Sequence, residues 1–521
     1  MFAQRSPIII IQNVIGAIFG YVGLFFILRY VGSSAWGFVA FGIGFVGILS
    51  LFGDLGFSTA HTIKISEGED LGVCNGTFLF IKLILGGLFV GLVLGSLQLW
   101  TVVLHRGFES PVEYWIILSL IPYFFFQNFI GFTTTYFRAT LKSMRASIPP
   151  LIEAMVRNSL FISLGIVMYL HLPFINQYYA TLVISSTYSF SYTVYFLVSV
   201  FLGRPWNVKR PTRRMLKSYS TLALPLMFVA SVSVISGNID KVFIQFFWHA
   251  NPTGAFFTSQ QISSLIITLG SSLTVFFLPL LIRYEKNHGK DVHNKSVFEF
   301  ERLSSLYILP FVVAMAILSP YVLNIFSAAY LPYGLMLSLL SLRAYLGVIN
   351  APYISSIVSR SRTKLIATID TVMIFLNIAL ISVFVPPSVL GHSFLSLGAN
   401  GAAVSILLVT TVSSVIYRIV VMKMEGISVN LGIIRHAVPA AMQSLMIVLV
   451  MQFVIPKSFI VLVWLTLLSF AVYFAVAIAI HETTPGTLLE ILKNFSPSAL
   501  AQRFKDEGTE TEDHMTDFGR P

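Results

Sequence analysis

Uncharged, apolar runs of about twenty residues recur along the whole chain, with the charge gathered into short polar segments between them. A helix needs ~20 apolar residues to cross the hydrocarbon core of a bilayer. The pattern therefore predicts about fourteen spans, at 8–29, 36–58, 78–103, 115–137, 148–170, 175–202, 219–247, 254–282, 303–325, 334–358, 364–385, 398–420, 433–455 and 458–480. The first run, Ile8 to Leu28, is long enough to span, so it reads as a transmembrane helix and not as a signal peptide. The expected fold class is an all-α polytopic membrane protein.

The polar segments give the orientation. Arg138, Lys142 and Arg145 follow span 4, six basic residues from Arg204 to Lys217 follow span 6, and Arg283 to Arg302 follows span 8. Arg360, Arg362 and Lys364 follow span 10, and Arg418, Lys423 and Arg435 bracket the loop after span 12. The alternate loops hold little lysine or arginine, so the positive-inside rule puts both termini in the cytoplasm of a cell (plasma or inner) membrane protein. The basic segment 203–218, with Pro205 and Pro211, divides a six-helix lobe at 1–202 from a second at 219–425. Two further helices fill 426–480. The tail 481–521 is expected to carry a short interfacial helix from Thr484 and then a polar, disordered stretch.

Composition narrows the function. The chain is 56% hydrophobic and 11% charged, against roughly 25% charged in an ordinary soluble protein. The net charge of +11 fits cytoplasmic loops better than nucleic-acid binding, and no nucleic-acid partner is expected. A single cysteine, Cys74, excludes an intramolecular disulfide and a cysteine metal cluster. No loop is large enough for a catalytic domain, and His61, His105, His171 and His249 are scattered near span ends without metal-ligand spacing. A membrane glycosyltransferase or polymerase is therefore a remote alternative.

Spans 2 and 8 open alike: "VGSSAWGFVAFGIGFVGIL" places Gly37 where "HANPTGAFFTSQQISSLII" places Gly254. The segment "RYVGSSAWGFVAFGIGFVGILSLFGDLGFSTA", with Gly37–Phe38 and then Asp54–Leu55–Gly56, resembles the start of polysaccharide-biosynthesis flippases of the Wzx type. These share a superfamily with multidrug and toxic compound extrusion transporters and lipid II flippases. "NIDKVFIQFFWHANPTGAFF" is similar to the family's spans 7 and 8. "SLGANGAAVSILL" (Gly398, Gly401, Ala402, Ala403) is similar to its span 12, and "AYLPYGLMLSLLSLRAYLGVINAPYISSIVSRSRTK" to its spans 10 and 11. The resemblance covers nearly the whole chain apart from the acidic tail. It implies two six-helix lobes around a central cavity, two added helices, and alternating access. It also implies transfer of a polyprenyl-(pyro)phosphate-linked oligosaccharide from the cytoplasmic to the outer leaflet, with membrane lipids around it and glycosyltransferases or a polymerase as working partners.

Charges within spans cost several kcal/mol, so by default they face a cavity or a partner. Glu153 and Arg157 share one face of span 5, as a self-neutralised pair or as a ligand site. Arg343 lies near the middle of span 10 with no acid within a helical turn, which makes it the best candidate for an anion contact; a salt bridge to another helix is the alternative. Lys241 either joins them on an anionic head group or snorkels outward. Arginine offers phosphate a planar, permanently charged fork. Gln127, Asn128, Gln260, Gln261, Asn350 and Asn377 are candidates for sugar contacts or for helix–helix hydrogen bonds. No cofactor is expected. Coupling to Na+ or H+ would need an ionisable cavity carboxylate, and Asp54, Glu153, Asp240 and Asp370 are the pool. Asp54, some 27 Å along span 2 at ~1.5 Å per residue, is expected at the inner mouth as a structural or gating group. Lys82 is expected to snorkel or to pair at the interface. The competing function is a cation-coupled multidrug exporter, which would need a net acidic cavity.

Overall fold

A computed structural model describes residues 6–486, except 104–106, 140–142, 172–174, 204–206, 289, 361, 390–391, 427–429 and 457. The tail helix expected after Thr484 and the acidic stretch lie outside the described residues. The chain forms α1 (Ser6–Phe26), α2 (Ser33–Leu49), α3 (Phe57–Ser66), α4 (Leu71–Gln98), α5 (Val112–Ala139), α6 (Ser143–Tyr169) and α7 (Gln177–Gly203). These are followed by α8 (Arg213–Trp248), α9 (Ala250–His288), α10 (Lys290–Phe326), α11 (Gly334–Ser359), α12 (Thr363–Phe384), α13 (Gly398–Glu425), α14 (Ala437–Phe453) and α15 (Phe459–Ala479). A two-residue antiparallel pair, Ser388–Val389 with His392–Ser393, decorates the link from α12 to α13.

Among the described residues, fourteen long helices stand where the apolar runs predict them, and α3 is the addition. Span 2 does not run to residue 58. After Leu49 the chain tightens into a 3-10 turn at Ser50–Gly53 and then bends, with Leu55 (φ 46°) and Gly56 (φ 80°) both left-handed. Gly56 permits that turn, and α3 follows. The basic loop expected between spans 8 and 9 is also shorter than its charge pattern implies, because α9 extends to His288 and α10 begins at Lys290. Arg418 lies within α13, inside the span predicted at 398–420.

Ten helices are long and apolar enough to cross a membrane, among the described residues. Helices α7, α8 and α9 carry polar positions within their apolar runs, among them Tyr188 and Tyr192, Ser233 and Ser236, and Gln260 and Gln261, which line the cavities described below.

The helices α1, α2 and α4–α7 pack with one another, and so do α8–α13; α2 joins the groups by packing on α8 and α9. The largest core surrounds this junction and includes Trp36, Phe256, Leu323 and Tyr330, all buried. Helices α14 and α15 lie against α10, where the Gln443 amide donates to the Pro310 carbonyl (3.0 Å) and to Ser469 (3.1 Å). The basic segment before α8 is tied down. The Lys209 amide donates to the Gly72 carbonyl (2.9 Å), and its ammonium lies 2.6 Å from Asp70, the N-cap of α4. That hydrogen bond, with the one from the Val73 amide, holds the Asp70 carboxyl below the usual carboxylate range.

A buried network fastens the C-terminal helices. Glu301 of α10, fully buried, accepts from Arg418 (2.7 Å), Tyr353 (2.6 Å) and Asn430 (3.1 Å). Nearby, Arg302 meets Glu482 (2.9 Å), which anchors the chain beyond α15.

Candidate functional site

Two cavities lie on either side of α9. The first, ≈ 450 Å³, is bounded by α8, α9, α11, α12 and α13. Arg343 enters it from α11, Asp240 from α8, and Asp370 and Asn377 from α12, with Gln260 on the α9 wall. Most of the remaining polar lining is Ser and Thr, including Ser236, Ser263 and Thr410. The second, ≈ 580 Å³, is bounded by α1, α2, α5, α6, α7 and α9. It holds Arg157 and Gln261 among four tyrosines, Tyr21, Tyr123, Tyr188 and Tyr192. Ser264 lines both, so α9 is their common wall. Gln260 and Gln261 are ~100° apart on the helix and therefore face different cavities.

Arg343 is the least satisfied of the charges. Its Nε is buried without a hydrogen-bond partner, and among the described residues no carboxylate lies within 4 Å. The nearest compensation is Asp240, whose charge interacts with it across the cavity and whose own Oδ1 is buried and unpartnered. Asp370 accepts from the Tyr417 hydroxyl, and Asn377 from Ser405 (3.3 Å). With both acids ionised, this cavity carries two carboxylates to one guanidinium.

Arg157 is different. It is held by Glu153 at 2.6 Å, and Ser191 donates to the same carboxylate oxygen (3.2 Å). Its guanidinium also stands 5.4 Å from the Tyr188 ring centroid. The i,i+4 pair is self-neutralised, and Arg157 also lines a cavity.

Several other sequence candidates are placed elsewhere. Lys241 does not snorkel outward. Side chains on a helix tilt toward its N-terminus, and Lys241 donates back to the Gly237 carbonyl (3.0 Å) and to Asn238 (3.1 Å), above the Phe257 ring. Asn350 accepts from Ser414 (2.6 Å) and Arg418 (2.8 Å), a bond between helices. Asn128 packs its amide against Gly53, and Gln127 is exposed on α5; neither lines these two cavities. Asp54 pairs with Lys82 and accepts from Ser58 at the turn before α3. Lys82 is fully buried and also donates to the Gly53 carbonyl (3.1 Å), so it pairs instead of snorkelling.

The tyrosine ring around Arg157 was not anticipated. Its trace in the sequence is "STYSFSYTVY" in α7, where hydroxyls recur inside a membrane helix. A second missed group closes one end of the molecule. The Gln245 amide donates to Glu109 and to Glu113, 2.7 Å each, and Glu109 also accepts the Ala250 amide (2.9 Å). Beside it α2 and α9 cross at Gly37 and Gly254, so closely that a Cβ on Gly37 would overlap the Ala250 carbonyl and one on Gly254 the Ser33 carbonyl. Tyr330 donates to that Ser33 carbonyl (3.0 Å), and Trp36 stacks on Phe257 at 5.4 Å. The two glycines that open spans 2 and 8 are thus each other's neighbours.

This architecture is shared with known transporters. A structure described as "Lipid II flippase MurJ, inward closed conformation" aligns with a TM-score of 0.68 at 16% identity, over 89% of this chain and 97% of that one. The inward-facing conformation of a multidrug resistance MATE family transporter of the MOP superfamily aligns at 0.58 and 14% identity, over 81% and 100%. A MOP superfamily transporter from Pyrococcus furiosus, described as having a binding pocket of reversed polarity, aligns at 0.51 and 16%, over 81% and 96%. These similarities establish the fold. No curated protein matches the sequence. A family model described as "Polysaccharide biosynthesis protein" matches residues 2–285, more than half of the chain, and the protein belongs to that family.

Proposed function

We propose that the chain is a flippase that carries polyprenyl-(pyro)phosphate-linked oligosaccharide from the cytoplasmic to the outer leaflet by alternating access, for cell-surface polysaccharide or glycoconjugate synthesis. The observation that carries this reading is Arg343, a mid-helix guanidinium with a buried, unpartnered Nε facing a polar cavity. A charge without a hydrogen-bonded ion partner in a membrane interior marks a substrate path, and a guanidinium fork matches phosphate oxygens. Ser, Thr, Gln and Asn around it offer hydrogen bonds to sugar hydroxyls. The closure at Gly37 and Gly254, on the outer side of the expected topology, is consistent with a state sealed toward the outside. Family membership and a fold shared with a lipid II flippase support the same reading. Glycosyltransferases and a polymerase would act before and after the transfer.

A cation-coupled exporter of multidrug type is the second reading, favoured by the excess of carboxylates in the Arg343 cavity. The same Asp240 serves either scheme: as an unpartnered cavity acid it can bind Na+ or H+ and compete with phosphate for Arg343.

Arg343→Ala in protein reconstituted in vesicles separates the two. A charge-assisted hydrogen bond contributes about 1.5–3 kcal/mol. Flipping of a fluorescent polyprenyl-pyrophosphate oligosaccharide should therefore fall by roughly 10- to 150-fold, with no gain or loss in efflux of a lipophilic dye cation. Loss of cation efflux with unchanged lipid flipping would reverse the assignment.

A further inference from the structure

A single residue joins two of the longest helices. Helix α8 ends at Trp248, α9 begins at Ala250, and His249 stands between them with φ 70° and ψ −174°. That backbone region is essentially confined to glycine, and another residue stays in it only where the surroundings over-determine it. Side-chain packing does not do so here, because the His249 ring is 71% exposed. The backbone is held instead: the His249 amide donates to the Gln245 carbonyl (3.1 Å), and its own carbonyl accepts from the Thr253 hydroxyl (2.8 Å).

Glu109 grips both sides of this joint from the other lobe. It lies in the short link between α4 and α5. One of its oxygens, Oε2, accepts from the Gln245 side chain before His249 (2.7 Å) and from the Ala250 amide directly after it (2.9 Å). The second bond satisfies a first-turn N–H of α9, where a helix has free donors and favours negative charge. Glu113 takes the other Gln245 bond (2.7 Å). Gln245 itself is half satisfied, since its Oε1 is buried without a partner. That carbonyl is costly while the end is sealed and regains a partner when water enters. The Glu109 side chain is 34% exposed, so water is at hand to replace its bonds as they break.

We infer that Glu109 is a releasable clamp on a strained joint, and that its withdrawal lets His249 relax and the start of α9 swing away from α2. The start of α9 is the part that crosses α2, at Gly254. The end of α8 is tied to α12, where the Trp248 indole donates to the Val385 carbonyl (2.7 Å). Relaxation at His249 is therefore taken up by α9. Strain in the joint favours opening and the clamp opposes it, so the two act with opposite sign. This rests on the alternating-access part of the flippase reading and names the groups that hold its sealed state; it does not depend on the cargo.

The test measures opening of the full chain in vesicles, in a Cys74→Ser background carrying Ser236→Cys, which lines the Arg343 cavity. A membrane-impermeant maleimide is added on the face that bears Glu109, and labelling rates are compared. Glu109→Ala removes the clamp and should label about ten-fold faster than the background. His249→Gly removes the strain, since glycine adopts a positive φ freely. It should label about three-fold more slowly than His249→Ala, which loses the same ring but keeps the strain. Because glycine relieves the joint, this second pair of variants decides the matter even where Glu109→Ala does not fold. No acceleration in a folded Glu109→Ala protein overturns the clamp. Equal rates for His249→Gly and His249→Ala overturn the strained joint and the inference with it. Either failure in vesicles that flip lipid-linked oligosaccharide leaves the flippase reading intact. The expected rates in vesicles that flip no lipid-linked sugar keep the clamp and sink the flippase reading. A position 236 that no variant exposes from either face sinks alternating access, and the inference falls with it.

Discussion

Gly37→Ala should weaken the seal at one end of the molecule without unfolding it. The added Cβ would overlap the Ala250 carbonyl, a backbone group that cannot swing aside, so α2 and α9 must separate at their crossing. Overpacking of this kind costs about 1–3 kcal/mol, borne only by the sealed state. The ratio of open to sealed protein should rise by about 5- to 150-fold. The assay uses a Cys74→Ser background carrying Ser236→Cys, a position that lines the Arg343 cavity. A membrane-impermeant maleimide applied to the face that bears Gly37 should label it faster by that factor. Gly87→Ala is the control, since a Cβ there meets nothing within 4 Å. If Gly37→Ala labels no faster than Gly87→Ala, the crossing is not the seal and the argument fails.

Two further perturbations probe the scaffold. Arg418→Met leaves Glu301 buried with only neutral donors, and losing one partner of a buried pair costs about 3–5 kcal/mol; thermal unfolding in detergent should shift down markedly, and an unchanged midpoint would refute that role. Burial alone would raise the Glu482 carboxyl, but the hydrogen bond and charge of Arg302 outweigh it and hold the group below the usual glutamate range. Stability from this contact is then full above the unfolded glutamate value of ~4.3 and is lost as pH falls through the lower folded value. Glu482→Gln should flatten that acid limb of the unfolding profile; an unaltered limb would show that the contact does not contribute.

The long helices were legible because membrane burial imposes length and apolarity on each segment independently of its neighbours. Helix α3 was not: at ten residues, with Ser58, Thr59, His61 and Lys64 in it, it is too short and too polar to register as a span. Its stability comes from contacts far along the chain, such as the His61 ring, which bonds the Tyr219 hydroxyl at 2.7 Å and stacks on Phe78. The candidate site divides the same way. Glu153 with Arg157 was readable because both partners lie on one helix. The exposure of Arg343 to a cavity and the pairing of Asn350 with Arg418 depend on which helices meet, which local spacing does not encode. Amide side chains carry the same signal in a cavity wall and in a buried helix contact, so Gln260 and Asn350 could not be told apart before the packing was known.

The position of α9 between two cavities has a pharmacological consequence. A molecule wedged among the tyrosines around Arg157 presses on the wall that also bounds the space around Arg343. An inhibitor lodged in the first that displaced this wall would narrow the second and lower turnover without occupying the Arg343 cavity. Such a compound need not resemble the substrate, and raising the substrate concentration would not overcome it.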